Sequence, residues 1–282
     1  MKLIIDSGST KTEWAVLNGN HVVESFITKG FNPYYTKPED IEKSIKVALP
    51  ESMNLLKIKQ LYFFGTGCST KENCHLITSI LNQFFPDAVI SVYHDLQGAA
   101  VALLKNKKGI ACILGTGSNS CLWDGNEVAE NVPSLGYLLG DEGSAVYLGK
   151  LLLKNILGGK ADKEITQSFY EYAGMSFADV LHQIYKDPNA NRWIAGLAPF
   201  VTEHIKHPQI KEIARKSFRD FIENQISAYT GYKSLEISFL GSVAFHLQDV
   251  LVEVMQESGL KTGVIMKSPM EGLIDYYRNI ND

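Results

Sequence analysis

Cysteine is scarce in this chain of 282 residues: Cys68, Cys74, Cys112 and Cys121 are the only four, in no CxxC pair and at no spacing of a disulfide framework. They read as reduced, mostly buried thiols of a cytoplasmic protein rather than staples of a secreted one. A zinc site would need closer Cys/His spacing, and the seven histidines show no HxxxH-type pattern. No apolar run approaches the roughly 20 residues that span a bilayer, so no membrane partner is expected. The start, one lysine before Leu-Ile-Ile and Asp6, lacks the form of a signal peptide. Basic stripes are missing too: 27 Lys+Arg against 31 Asp+Glu give a net charge of −4, which argues against nucleic acid. Two nucleotide signatures are also absent. There is no Walker A GxxxxGK[ST]. GTGSNS at 115–120 lacks the third glycine of a dinucleotide fingerprint and leads into a strand.

What is present is apolar strand, turn and helix in alternation. The segment LIID reads as a short buried strand, TEWAVL as a second and HVVESFIT as a third, with Asn18-Gly19 as the tight hairpin dipeptide. Pro38, Glu39 and Asp40 open a helix with Ile41, Ile45, Ala48 and Leu49 on one face. QLYFFGTG is a buried strand. Ser69-Thr70-Lys71-Glu72 reads as a capping box for a helix carrying Leu76, Ile77, Ile80, Leu81 and Phe84. AVISVYHD is another strand, and Asp95 sits where the helix LQGAAVALL begins. After Gly143 the chain turns helical: AVYLGKLLLKNIL stops at Gly158-Gly159. Amphipathic segments fill 162–230, with Ile210, Ile213, Ala214, Ser217, Phe221 and Ile222 sharing a face, as do Gln225, Ile226 and Tyr229. ISFLGS is a strand before a helix running to about Glu257. GVIMK is a last strand and GLIDYYRN a terminal helix.

Residues 109–132 repeat the opening. GIACILGTGSNSCLWDGNEVAE can be laid on LIIDSGSTKTEWAVLNGNHVVE so that Gly8-Ser9 falls on Gly117-Ser118. With a three-residue shortening, Asn18-Gly19-Asn20 falls on Asp124-Gly125-Asn126, and Val22 on Val128. A duplication about 110 residues apart implies two similar α/β units, with the break near Asn106–Gly109. Each glycine/hydroxyl turn taken alone is equally a plain β-turn. As a pair they offer free backbone N–H groups and hydroxyls to phosphate oxygens from two sides. Asp6 would repel phosphate unless a Mg²⁺ ion intervenes.

In this order, DSGSTKT, LGTGSNS, HDLQGA, LLGDEGS and FLGSVA resemble the phosphate and adenosine motifs of the actin/hexokinase/Hsp70 superfamily. More narrowly they are similar to the BadF/BadG/BcrA/BcrD ATPase family and its N-acetylglucosamine kinases. The resemblance runs from residue 3 to about residue 247. It implies two ribonuclease H-like (actin-like ATPase) α/β domains with a cleft between them, the second enlarged by helices. The expected boundaries are 1–107 and 108–268, with the helix 269–282 packing back on the first. It implies an ATP- and Mg²⁺-dependent phosphotransferase with an alcohol acceptor, the 6-hydroxyl of an N-acetylhexosamine such as N-acetylglucosamine. Domain closure would expel water and complete the site.

Carried over by match, Ser9, Thr10 and Lys11 would lie by the ATP phosphates with Asp6 near Mg²⁺. Thr116, Gly117 and Ser118 would form the opposing clamp, and Gly241 and Ser242 would border the adenosine. Asp95 would be the catalytic base, while Asn32, Gly136 and Asp141 would meet the sugar. Read without the resemblance, Asp95 and Asp141 are equally good helix N-caps, and Glu142 a first-turn charge. His94 reads as structural, and Trp14, Trp123 and Trp193 as core. Departures from the family are Ser134-Leu135-Gly136-Tyr137, where tryptophan-glycine is common, and GLIDYY in place of a GAL-type motif. The first leaves the choice of sugar open. A homodimer is expected, with the second-half amphipathic helices as its face. The rivals are an ATPase activator of a radical dehydratase, whose iron–sulfur cluster would need cysteine ligands, and a non-catalytic sugar sensor.

Overall fold

The computed structural model describes residues 1–8, 10–34, 36–50 and 55–280. It divides into two compact units, Met1–Asn106 with Pro269–Asp282, and Lys107–Ser268.

In the first unit five strands form one sheet: β1 (Lys2–Ser7), β2 (Lys11–Asn18), β3 (His21–Lys29), β4 (Gln60–Gly65) and β5 (Val89–His94). Their order is β3-β2-β1-β4-β5. The first three are antiparallel neighbours, while β4 and β5 run parallel to β1. Asn18-Gly19 makes the expected hairpin, with Gly19 at φ 57°. Leu3, Ile4 and Ile5 are all buried, because both faces of the sheet are covered and a strand in that setting is apolar throughout. Leu3, Ile5, Trp14 and Val16 meet Ile41 and Ile45 of the helix Pro38–Ala48, and Ile77, Ile80 and Leu81 of the helix Lys71–Phe84. The cap of that second helix is Thr70, not Ser69. Its hydroxyl accepts the Asn73 N–H, so Glu72 is simply a first-turn charge rather than half of a capping box. The opposite face carries the helices Asp95–Leu104 and Met270–Arg278. Tyr277 stacks on Tyr62 at 4.0 Å, and Lys2 Nζ donates to the Tyr277 and Ile280 carbonyls.

The second unit repeats the topology with β6 (Gly109–Leu114), β7 (Ser118–Trp123), β8 (Val128–Asn131), β9 (Glu236–Leu240) and β10 (Lys261–Met266). Their order, β10-β9-β6-β7-β8, is the same arrangement read from the other edge. Both units are thus ribonuclease H-like. The helices inserted between β8 and β9 enlarge the second core, and Ile210, Ile213, Ala214, Phe218 and Phe221 of the helix Pro208–Asn224 are buried in it. The stretch expected as one helix through Glu257 breaks at Leu247 into Ser242–His246 and Gln248–Glu257. Trp14 and Trp123 lie in the cores and Trp193 packs partly buried against the second. Among the described residues, no helix is long and apolar enough to cross a membrane.

The repeat is real but its register differs from the sequence overlay. β1 and β6 are each six residues long, and the first amide after each turns back across its tip. Gly8 N–H donates to Lys11 O at 2.9 Å and Gly115 N–H to Gly117 O at 3.0 Å. Gly115, not Gly117, therefore corresponds to Gly8. The overlay followed the Gly-Ser identity, whereas the constraint is a glycine at the strand exit. Ile113 then matches Asp6, so the carboxylate is not duplicated.

The terminal helix is seated through a glycine. A Cβ on Gly272 would lie 2.5 Å from Ala102 O and 2.8 Å from Ala102 Cα. Alanine is intrinsically the better helix residue by about 1 kcal/mol, but overpacking against rigid backbone costs about 1–3 kcal/mol. Gly272→Ala should therefore lower the urea midpoint; an unchanged or raised midpoint would show that the helix is not seated in this way.

Candidate functional site

Parallel strands of an α/β sheet present their ligand sites at the carboxyl edge. In the first unit that edge is the row Ser7, Gly65 and His94, paired in register across β1, β4 and β5. Asp6 precedes this row, and Gly8, Thr66 and Asp95 follow it.

The tip after β1 is built close to its support. Gly30 N–H donates to Thr10 O at 3.0 Å, and a Cβ on Gly30 would lie 2.3 Å from Gly8 O and 2.6 Å from Lys11 N. Only glycine fits beneath this tip. Thr10 is exposed, Lys11 pairs with Glu13, and Ser9 lies outside the described residues. Buried Ser7 and Thr12 share a hydroxyl–hydroxyl hydrogen bond of 2.8 Å that fixes the tip's base.

Asp95 is the first residue of its helix but not its cap. His94 is the cap, its Nδ1 accepting the Leu96 N–H at 3.3 Å. The Asp95 carboxylate is instead held by Thr66, whose Oγ1 donates to Oδ2 at 2.7 Å, while Oδ1 lies 3.1 Å from His94 Nδ1. Asn32 meets the same turn. Its Oδ1 accepts the Tyr34 N–H at 2.9 Å and lies against Gly67, where a Cβ would come within 2.3 Å. Thr66 and Gly67 thus position both expected acceptor residues. The sequence signal for them is the repeat of Gly65-Thr66-Gly67 at Gly115-Thr116-Gly117.

The electrostatics single out Asp6. Burial, then Asp95, then Glu13 push its carboxyl up to about 7, against the pull of Lys11. An ionised carboxylate short of counter-charge suits a hard divalent cation. Among the described residues no three His, Cys, Asp or Glu side chains converge as a metal cage, but magnesium bound chiefly through phosphates needs only one or two carboxylates. Asp6 fits that role. The neighbouring thiols are shifted as well: burial pushes Cys68 up to about 12 and raises Cys74.

In the second unit the GTG turn, Gly115–Gly117, sits on the start of the helix Ala145–Leu157. Gly115 O and Thr116 O accept the Ala145 and Val146 N–H groups at 2.9 and 3.2 Å. Thr116 is exposed and Ser118 buried. Gly241, at φ 119°, packs under this turn: its Cβ would lie 2.4 Å from Leu114 O. Exposed Ser242 begins the short helix after it.

Asp141 joins this cluster. It is not an N-cap, since Ser144 caps the helix by accepting the Tyr147 N–H. Asp141 takes a left-handed φ of 61°, and its Oδ1 accepts from Ser118 N–H and Ser134 Oγ, each at 3.3 Å. Its carboxylate also lies 3.1–3.3 Å from where a Gly117 Cβ would be. Burial raises its pKa, partly offset by those two donors. Glu142 lies before the helix rather than in its first turn and accepts from Asn224. Gly136, at φ 71°, opens the four-residue helix Gly136–Leu139 and has open space where a Cβ would be. Ser134 was not foreseen as a partner of Asp141; only its closeness in sequence hinted at it.

No protein-family model matches the chain, and no curated protein does. Among solved structures, a Porphyromonas gingivalis protein provisionally named N-acetylglucosamine kinase matches at 38% identity and a TM-score of 0.94, over 99% of each chain. A Chromobacterium violaceum protein with the same provisional name matches at 18% identity and TM-score 0.70, over 98% of each chain. Component A of (R)-2-hydroxyglutaryl-CoA dehydratase from Acidaminococcus fermentans matches at 14% and 0.52, over 98% of this chain and 95% of that one. The last two are likenesses of fold alone.

The Asp6 environment sets a pH dependence. A carboxyl raised in the folded state from 3.8 to about 7 favours folding below the unfolded value, and that favour is lost as pH rises toward 7. In chelator-containing buffer, Asp6→Asn should gain stability over wild type between pH 4 and 7, by roughly 4 kcal/mol at most. A stability difference that stays flat with pH would contradict this environment.

Proposed function

The chain belongs to the N-acetylglucosamine kinase-like branch of the BadF/BadG/BcrA/BcrD ATPase family, and on that premise we propose that it transfers the γ-phosphoryl group of ATP to the 6-hydroxyl of an N-acetylhexosamine, with N-acetylglucosamine the favoured acceptor. The observation that carries this reading is the state of Asp95. His94 relieves it of capping duty, and Thr66 holds one of its oxygens at 2.7 Å. A carboxylate fixed at a strand end and not consumed by its helix suits the acceptance of a hydroxyl proton.

Phosphoryl transfer needs positioning and charge stabilisation more than covalent chemistry by the protein. The N–H groups and hydroxyls at 9–11 and 116–118 would serve the ATP phosphates, and Gly241 and Ser242 the adenosine. Asp6 would hold Mg²⁺, which supplies neutralisation of phosphate charge when bound. Asn32, Gly136 and Asp141 would bind the sugar, and a carboxylate that accepts from Ser118 and Ser134 through one oxygen retains acceptor capacity for sugar hydroxyls. The proposed setting is the cytoplasm, where free thiols persist, and the proposed assembly a homodimer.

The test is coupled ADP release across N-acetylglucosamine, N-acetylmannosamine, glucosamine and N-acetylmuramic acid. Sugar-dependent turnover is expected, greatest with N-acetylglucosamine; sugar-independent background throughout would favour a sensor. Asp95→Asn should lower kcat by about 10²–10⁴-fold while ATP still binds, and near-normal turnover would reject Asp95 as the base.

A further inference from the structure

The segment 134–141 bears Asp141, yet little of its own packing holds it in place. Its helix, Gly136–Leu139, is four residues long. Leu135, Leu138 and Leu139 are 61%, 74% and 78% exposed, so its apolar side chains give it no anchorage. A short exposed turn also holds few internal hydrogen bonds: Gly140 N–H to Gly136 O, at 2.8 Å, closes it. An aspartate at φ 61° must nevertheless be kept in a conformation that favours glycine.

One side chain reaches in from a rigid neighbour. Lys150 Nζ donates to two carbonyls of the segment, Tyr137 O and Gly140 O. Lys150 stands on the helix Ala145–Leu157, whose Leu148 and Leu152 are fully buried, and its ammonium lies 5.0 Å from the centre of the Tyr147 ring. Tyr147 in turn donates to Asp220 Oδ2 at 2.7 Å, tying this helix to Pro208–Asn224. Burial lowers the lysine's pKa while the nearby Asp141 and Glu142 carboxylates support its charge. The lysine is thus half-buried and committed to backbone rather than to a solvated ion pair.

We infer that Lys150 is a positioning residue for the acceptor sugar: by fastening the carbonyls of Tyr137 and Gly140 to the core helix, it holds Asp141 in its binding geometry without touching the sugar. The inference rests on the reading of Asp141 as a sugar ligand. A misplacement of about 1 Å costs on the order of 10²-fold in such sites.

The experiment compares wild type, Lys150→Met and Lys150→Arg. Lys150→Met should raise the KM for N-acetylglucosamine about 10–100-fold, leave the KM for ATP within about twofold, and lower kcat less than kcat/KM. Lys150→Arg, which can still donate to two carbonyls, should recover most of the loss. Hydrogen exchange should show amides of 134–141 losing protection in Lys150→Met while the strand amides of 109–114 keep theirs. An unchanged sugar KM, an equal rise in both KM values, or unaltered exchange in 134–141 would overturn the inference. Lys150→Arg serves the same measurements if Lys150→Met fails to fold, and sugar affinity no nearer wild type than expected for a lost lysine would count against it. Should wild type itself show no sugar-dependent ADP release, the kinase reading fails, and exchange still decides whether Lys150 fastens the segment.

Discussion

An ionisable carboxyl group drawn partly out of water, beside others of its own kind, is the constraint on which the rest turns. Asp6 follows the buried run Leu3-Ile4-Ile5 near the end of its strand, and its desolvation there raises its pKa. Asp95 and Glu13 add like charge, and the nearest cation, Lys11, is already paired with Glu13. Such a group holds a proton, or it waits for a cation. Neither serves stability at neutral pH, which is the ground for proposing Asp6 as the holder of a cation.

Within each unit the fold supplies rigid backbone at its tip. Glycine recurs where chain meets chain: Gly30 under the first tip, Gly241 under the second. In both, a side chain would strike a carbonyl oxygen at about van der Waals overlap, and the two tips would lose their shape. The glycines at the tips themselves do something different. They let each strand end in a turn closed by its own amide, Gly8 N–H to Lys11 O and Gly115 N–H to Gly117 O. The two units reached this arrangement with unequal chemistry, because only the first retains a carboxylate at the position that Ile113 occupies in the second.

Much of this was legible in the sequence. The hairpins, the helix openings at Pro38 and Ala145 and the repeated tip all follow from apolar period and turn dipeptides, and the structure has them. The resemblance of DSGST, LGTGSNS and GDEGS supplied the family. What could not be read was tertiary. The overlay of the two tips slid by two residues, because identity of letters outweighed the unseen strand ends. Asp95 and Asp141 looked like caps, since capping is a local habit of aspartate; in the fold His94 and Ser144 take those duties. Thr66 and Lys150, and the bond from Ser134 to Asp141, escape the sequence because each acts across space on a residue whose partner the sequence does not name.

The most direct measurement of the account is a carbon-13 NMR titration of side-chain carboxyl signals in chelator-containing buffer, with Asp6 assigned by comparison with Asp6→Asn. Asp6 should titrate with a midpoint near 7, moving downward when Asp95 is replaced by asparagine. A midpoint close to the ordinary 3.8, indifferent to Asp95, would contradict it.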